Sequence, residues 1–156
     1  MDKASSERGG YSIMELNIVA TGIELVGTTI KEIIIENNII DVDRESKRSI
    51  GFTIKEPHIE KTNNRFFAQL EINFDIDIQQ SENQKCKIKL SVEGAFISSE
   101  EVNEETFAQL VVINGASAII GIARGKIETI TAATFNNGKV VIPFINVVDY
   151  YNSLNE

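Results

Sequence analysis

The sequence predicts an α+β fold, antiparallel strands first and helices after them, and three observations carry it. Leu70 to Ile78, LEINFDIDI, alternates apolar and polar residues, the period-two pattern of a strand with one buried face. Lys85 to Val92, KCKIKLSV, alternates in the same way after the polar loop QQSENQ. After Gly94 the pattern becomes helical and culminates in IIGIARGKIETITAATF, Ile119 to Phe135.

The first ten residues, MDKASSERGG, are polar and lack an apolar signal-peptide core, so 1–10 is expected to be a disordered leader and 11–156 one domain. Residues 12–29 stay undecided. Ile13, Leu16, Ala20, Ile23 and Ile30 fit a helical stripe, but Gly22 and Gly27 would each cost about 1 kcal/mol inside a helix. IKEIIIENNIIDVD, Ile30 to Asp43, is rich in β-branched residues and predicts a strand bent at Asn37–Asn38. IGFTIKEPHIEK and the run before Leu70 supply further strand, with a turn near Thr62–Asn64.

The two alternating runs should pair as a hairpin whose register can be derived. Setting Ile76 against Ile88 also sets Phe74 against Leu90 and Ile78 against Cys86 on the apolar face. On the other face Asp77 meets Lys87 and Asp75 meets Lys89, each cross-strand pair contributing roughly 0.2–1 kcal/mol. A slip of one residue would turn the apolar face to water.

SSEEVNEE, Ser98 to Glu105, has the cap and first-turn chemistry of a short helix running through Phe107 and Leu110. In the main helix, Ile120, Ala123, Ile127, Ile130 and Thr134 form an apolar stripe. Gly121, Gly125, Thr129 and Ala132 form a second stripe of small residues, fit for tight packing within the protomer or for a subunit interface. Asn137–Gly138 is expected to end the helix. In GKVVIPFINVVDYYN, Gly138 to Ile142 reads as extended, Pro143 to Asn146 as a turn, and Val147 to Tyr151 as the start of a short helix.

Composition narrows the function. The chain has 156 residues, 42% hydrophobic, and a net charge of −8 from 15 basic and 23 acidic side chains. That balance argues against nucleic acid or anionic membrane as the main partner, because phosphate binding needs clustered Lys and Arg. The single Cys fits a reducing compartment, and a cytoplasmic protein is expected. No run of about 18 apolar residues stands out as a membrane span.

No catalytic constellation is visible. His58 stands alone beside Pro57 in a polar stretch, and Cys86 lies on the apolar face of a strand, where a thiol packs as a small hydrophobe. Asp75 and Asp77 alternate opposite lysines, the ordinary arrangement of a solvated strand face. Zinc spacings, phosphate-binding loops and nucleophile elbows are absent from the sequence. The expectation is a binding protein, not an enzyme, with no cofactor and no metal.

The C-terminal motifs, in order, resemble the SecB family of protein-export chaperones. They are Glu93-Gly94-Ala95-Phe96, the Ala123-Arg124-Gly125 step, Gly138, Val140 to Ile142, Pro143, Asn146 and Tyr150–Tyr151. The likeness spans Ile30 to Tyr151 and is densest in the last forty residues. It implies a four-stranded antiparallel sheet with a long helix and a short C-terminal helix packed on one face. It further implies a dimer of dimers, joined by edge strands and by main helices, that holds unfolded preproteins in apolar grooves without ATP and passes them to the motor SecA. On this resemblance Phe66, Phe96, Ile142, Phe144, Val147 and Tyr150 are the expected client contacts. Of the neighbours Phe66 and Phe67, on opposite sides of one strand, one should be core. Gly121, Arg124, Gly125, Thr129 and Ala132 are the expected subunit interface.

The sequence departs from that family at several places. Gly121 stands for a Pro, one residue is inserted between Pro143 and Asn146, and Val147 replaces a Phe. Lys87 and Lys89 occupy the strand where the family exposes a Leu and a Glu for SecA docking. Two partner classes therefore stand beside unfolded clients: SecA, or a toxin–antitoxin partner served by a dedicated SecB-like chaperone or another single-partner assembly protein.

Overall fold

The computed structural model describes residues 22–155. Five strands, β1 (Ile23–Asn37), β2 (Lys47–Ile54), β3 (His58–Thr62), β4 (Arg65–Ser81) and β5 (Gln84–Ser98), form one antiparallel sheet. Three α-helices follow: α1 (Glu104–Leu110), α2 (Ala116–Thr134) and the short C-terminal α3 (Val147–Ser153).

The β4–β5 hairpin has the register its alternation dictates. Ile76 faces Ile88, Phe74 faces Leu90 and Ile78 faces Cys86, while Asp77 and Asp75 stand opposite Lys87 and Lys89. The apolar members of these pairs are fully buried. On the opposite, solvated face Lys87 reaches Asp77 at 3.8 Å, Lys55 reaches Glu71 at 2.6 Å and Lys31 reaches Glu93 at 3.6 Å.

The sheet has five strands where four were expected. Both β2 and β3 pair with the same edge of β4, with Ile54 opposite Ile72 and His58 opposite Gln69. Pro57 has no N–H to donate to the ladder and divides that edge into two strands laid end to end. The sheet is thus four strands wide, in the order β1-β5-β4-β2. A tight Asn63–Asn64 turn joins β3 to β4, Asn63 taking the left-handed conformation (φ 55°) that Asn tolerates.

Two expectations for β1 are corrected. It begins at Ile23 and not Ile30, so Ile23 and Ile30, assigned to a helical stripe in the undecided 12–29 segment, are strand residues. It also stops at Asn37 instead of bending there. The Asn37 side chain both donates to the Ile39 carbonyl and accepts from the Ile39 N–H, each at 2.9 Å, and turns the chain out of the sheet. The leader, 1–10, and the earlier part of the 12–29 segment lie outside the described residues.

The first helix begins later than expected, and the main helix earlier, at Ala116 and not Ile119. Ser98 is the last residue of β5, and Asn103 is the cap of α1, accepting from the Thr106 N–H at 2.8 Å. A π-helical turn, Val111–Gly115, joins α1 to α2 without a break. A Cβ on Gly115 would lie 3.0 Å from the ring of Phe96, so the helix approaches the sheet there as only glycine allows. The continuous run Glu104–Thr134 is 31 residues long and, by length and composition alone, apolar enough to cross a membrane, which corrects the sequence expectation. Its buried residues, Phe107, Val111, Ile119, Ile120, Ala123 and Ile127, lie against the strand residues Leu70, Ile72, Phe74, Leu90 and Val92 in one core.

Gly138 does not cap α2, which ends four residues earlier at Thr134. Its φ of +94° and its contact with Val42 serve the segment that follows. That segment runs extended beside the loop after β1, with the Val42 N–H donating to the Asn137 carbonyl at 3.0 Å. Val140 and Ile142 turn into the core while Val141 stays exposed. The buried Thr131 hydroxyl accepts from the Val140 N–H (2.9 Å) and donates to the Ile127 carbonyl (2.7 Å), fastening the segment to α2.

Candidate binding surface

Helix α2 presents a crest and two flanks above its buried side. Its crest carries Gly121, Gly125, Thr129 and Ala132, all exposed. A Cβ on Gly121 or Gly125 would meet nothing within 4 Å, so this stripe packs against none of the described residues. One flank looks toward β1, where Ile30, Ile122, Gly125, Lys126, Thr129 and Ile130 line a recess of about 460 Å³.

The other flank faces the C-terminal segment. Arg124 Nε donates to the Ile142 carbonyl at 2.8 Å, which fixes the guanidinium where the extended segment enters its turn. The guanidinium carbon then lies 4.3 Å from the centre of the Phe144 ring, a cation–π contact. Phe144 is 89% exposed, the most exposed of the large apolar side chains among the described residues. Beside it Ile113, Ser117, Ile145, Asn146, Val147 and Val148 border, with Phe144 itself, a recess of about 440 Å³. Asn146 accepts from the Asp149 N–H at 3.1 Å and starts α3, so a cap holds the far side of this recess.

The edge of the sheet is apolar too. Ile33, Ile34 and Ile35 of β1 are 40%, 45% and 37% exposed, and β1 pairs only with β5 among the described residues. Consecutive strand residues point to opposite faces, so three half-open isoleucines in a row leave apolar surface on both sides of one free edge.

Titratable groups offer little. Burial, with the Asp77 charge adding to it, pushes the Cys86 thiol up to about 11, so it stays protonated and packs as a hydrophobe. His58 is exposed, and its ring lies 2.8 Å from the Glu60 carboxylate. Among the described residues no group of three or more His, Cys, Asp and Glu could hold a metal ion.

No family model matches the chain, and no curated protein matches it in sequence. A solved structure does. The SecB-like chaperone Rv1957 of Mycobacterium tuberculosis, in complex with a ChAD peptide from the Rv1956 HigA1 antitoxin, superposes with a TM-score of 0.56 at 9% identity. The match covers 82% of this chain and 94% of that one. The fold is SecB-like. Its antiparallel sheet, long helix and short C-terminal helix are the arrangement the resemblance implied, with β3 as the fifth strand.

The expected contact residues separate within this SecB-like fold. Phe96 and Ile142 are core, 2% and 0% exposed, and Val147, 3% exposed, is mostly core but still borders the recess beside Phe144. Phe96 shares the β5 face of Leu90 and Val92, and Ile142 and Val147 turn inward from the C-terminal segment. Phe66 and Phe67 are both half-buried, so neither is the fully buried one expected. Phe66 stacks on Phe107 with ring centres 6.2 Å apart. Tyr150 packs on Phe52 (4.9 Å) and Tyr151 (5.3 Å), and its hydroxyl accepts from the Ile54 N–H on the outer edge of β2 at 3.2 Å. Phe144 alone of the six is open. Of the expected interface residues, four share the crest of α2, while Arg124 sits on the flank against Phe144. The sequence reading missed Ile113, Ser117 and Val148; the seven-residue step from Ser117 to Arg124 along one helix face was the available signal.

Proposed function

We propose that this protein is a holdase chaperone that binds extended, apolar segments of unfolded polypeptides without ATP. The observation that carries the reading is Phe144, 89% exposed yet fixed by Arg124 at the lip of an apolar recess on a SecB-like fold. An aromatic held outside the core is a recognition feature, because such a ring gains by covering and contributes little to folding where it stands. Half-exposed Phe66 and Tyr150 are secondary contacts in this reading, reached by longer clients.

We further propose that copies assemble, through the free edge of β1 and through the glycine crest of α2, as a dimer of dimers. Apolar Ile33, Ile34 and Ile35 on one surface and open Gly121 and Gly125 on the other support it. Hand-off to SecA is not part of the proposal, since the open sheet face carries Lys87, paired to Asp77, and Lys89.

A dedicated antitoxin chaperone is the second reading, favoured by the antitoxin peptide in the solved SecB-like complex. Chemically denatured proteins of several unrelated folds, diluted into buffer with stoichiometric chaperone, decide between them. Suppressed aggregation of all supports the general holdase. Protection of one co-encoded antitoxin alone supports the second reading, and protection of none removes both.

A further inference from the structure

Arg124 has no acidic partner among the described residues. Only its Nε is engaged, with the Ile142 carbonyl, while both terminal nitrogens are left without a hydrogen bond or ion pair. Glu128, one helical turn further along α2, points its carboxylate to Lys139 at 3.8 Å instead. In this chain of net charge −8 that guanidinium lies against the most exposed aromatic ring among the described residues. Asp149, the acid in the first turn of α3, makes no ion pair with it.

Arg124 has two consequences for that ring. The Nε bond and the stacking contact together set the position of Phe144, covering one face and leaving the other to a partner. The terminal N–H groups leave a fork of donors beside Phe144, whose ring borders the apolar recess of Ile113, Ile145 and Val148. Such a fork matches a carboxylate and repels a second cation.

We propose that Arg124 and Phe144 form one composite recognition element that selects polypeptide segments in which an apolar or aromatic residue is followed directly by an acidic one. The apolar side chain enters the recess against Phe144, and the carboxylate meets the Arg124 fork. Arg124 is therefore both a positioning residue for Phe144 and the determinant of charge preference. This rests on the chaperone reading above and adds to it the class of segment preferred.

The test uses the full chain and three short fluorescein-labelled peptides, alike except for a central Phe-Glu, Phe-Gln or Phe-Lys step, with affinity read by anisotropy. The intact protein should bind the Phe-Glu peptide about fivefold more tightly than the Phe-Lys peptide, the worth of one partly exposed ion pair. High salt should shrink that ratio. In R124Q the ratio should fall to near unity, whereas R124K, which keeps the charge, should retain a preference for Glu. Equal affinity for all three peptides, or a ratio that survives R124Q unchanged, overturns the inference and leaves the chaperone reading standing. The same holds if no peptide binds while denatured proteins are still protected from aggregation. Absence of both peptide binding and protection overturns the two together. Should R124Q fail to fold, the salt dependence of the wild-type ratio decides.

Discussion

Phe144 is the large apolar side chain least engaged in the core among the described residues. Its ring buries almost nothing in the protomer, so Phe144→Ser should leave the melting temperature nearly unchanged. If the ring anchors clients, the same change should weaken peptide binding roughly tenfold or more, the worth of covering one large apolar side chain. A large fall in melting temperature would show that the stretch is core. Cys86 makes the opposite case. Its thiol is buried, with its pKa raised to about 11, so it should resist a thiol reagent in the native protein at pH 8 and react on unfolding. At this scale the sequence was informative where parity governs. Phe96 has the same even spacing as Cys86, Ile88, Leu90 and Val92 on β5, and that signal alone assigns it to the buried face. The Arg124–Phe144 contact was not legible, because it depends on the path of the segment between them, and no periodicity encodes that path.

Elements were readable to the degree that their signals are local. The β4–β5 hairpin follows from alternation on both strands, and its register from matching apolar and charged partners. The π-helical turn at Val111–Gly115 has no such signal; it lies where a residue of another element, Phe96, leaves little room for a side chain at Gly115. The extended segment after α2 likewise depends on a single side chain. Thr131→Val keeps the shape of that side chain but removes the acceptor for the buried Val140 N–H. The expected cost is about 1–3 kcal/mol, the penalty of an unsatisfied buried donor. Calorimetry should register it as a fall of about 2–4 °C for each kcal/mol. A shift within error would mean the segment is held by Val140 and Ile142 packing alone.

For the whole molecule, the two remaining apolar surfaces make separate predictions about assembly. Leu at both Gly121 and Gly125 would place bulk on the open crest of α2 and should reduce a tetramer to dimers in sedimentation velocity runs. Ile34→Lys adds a charge to the free edge of β1 and should block pairing between sheets. If neither variant changes the sedimentation coefficient, these surfaces do not join copies of this chain. The order of elements bears on synthesis as well. All five strands precede the 31-residue apolar helix in the chain, so the strands leave the ribosome before that helix does. The helix therefore emerges after the strands whose apolar face it covers. The sheet has no such cover until residue 134 is made, and during that interval the nascent chain is itself an unfolded polypeptide with an exposed apolar face. A protein proposed to shield such faces in other chains would, at its own birth, be among those that need shielding.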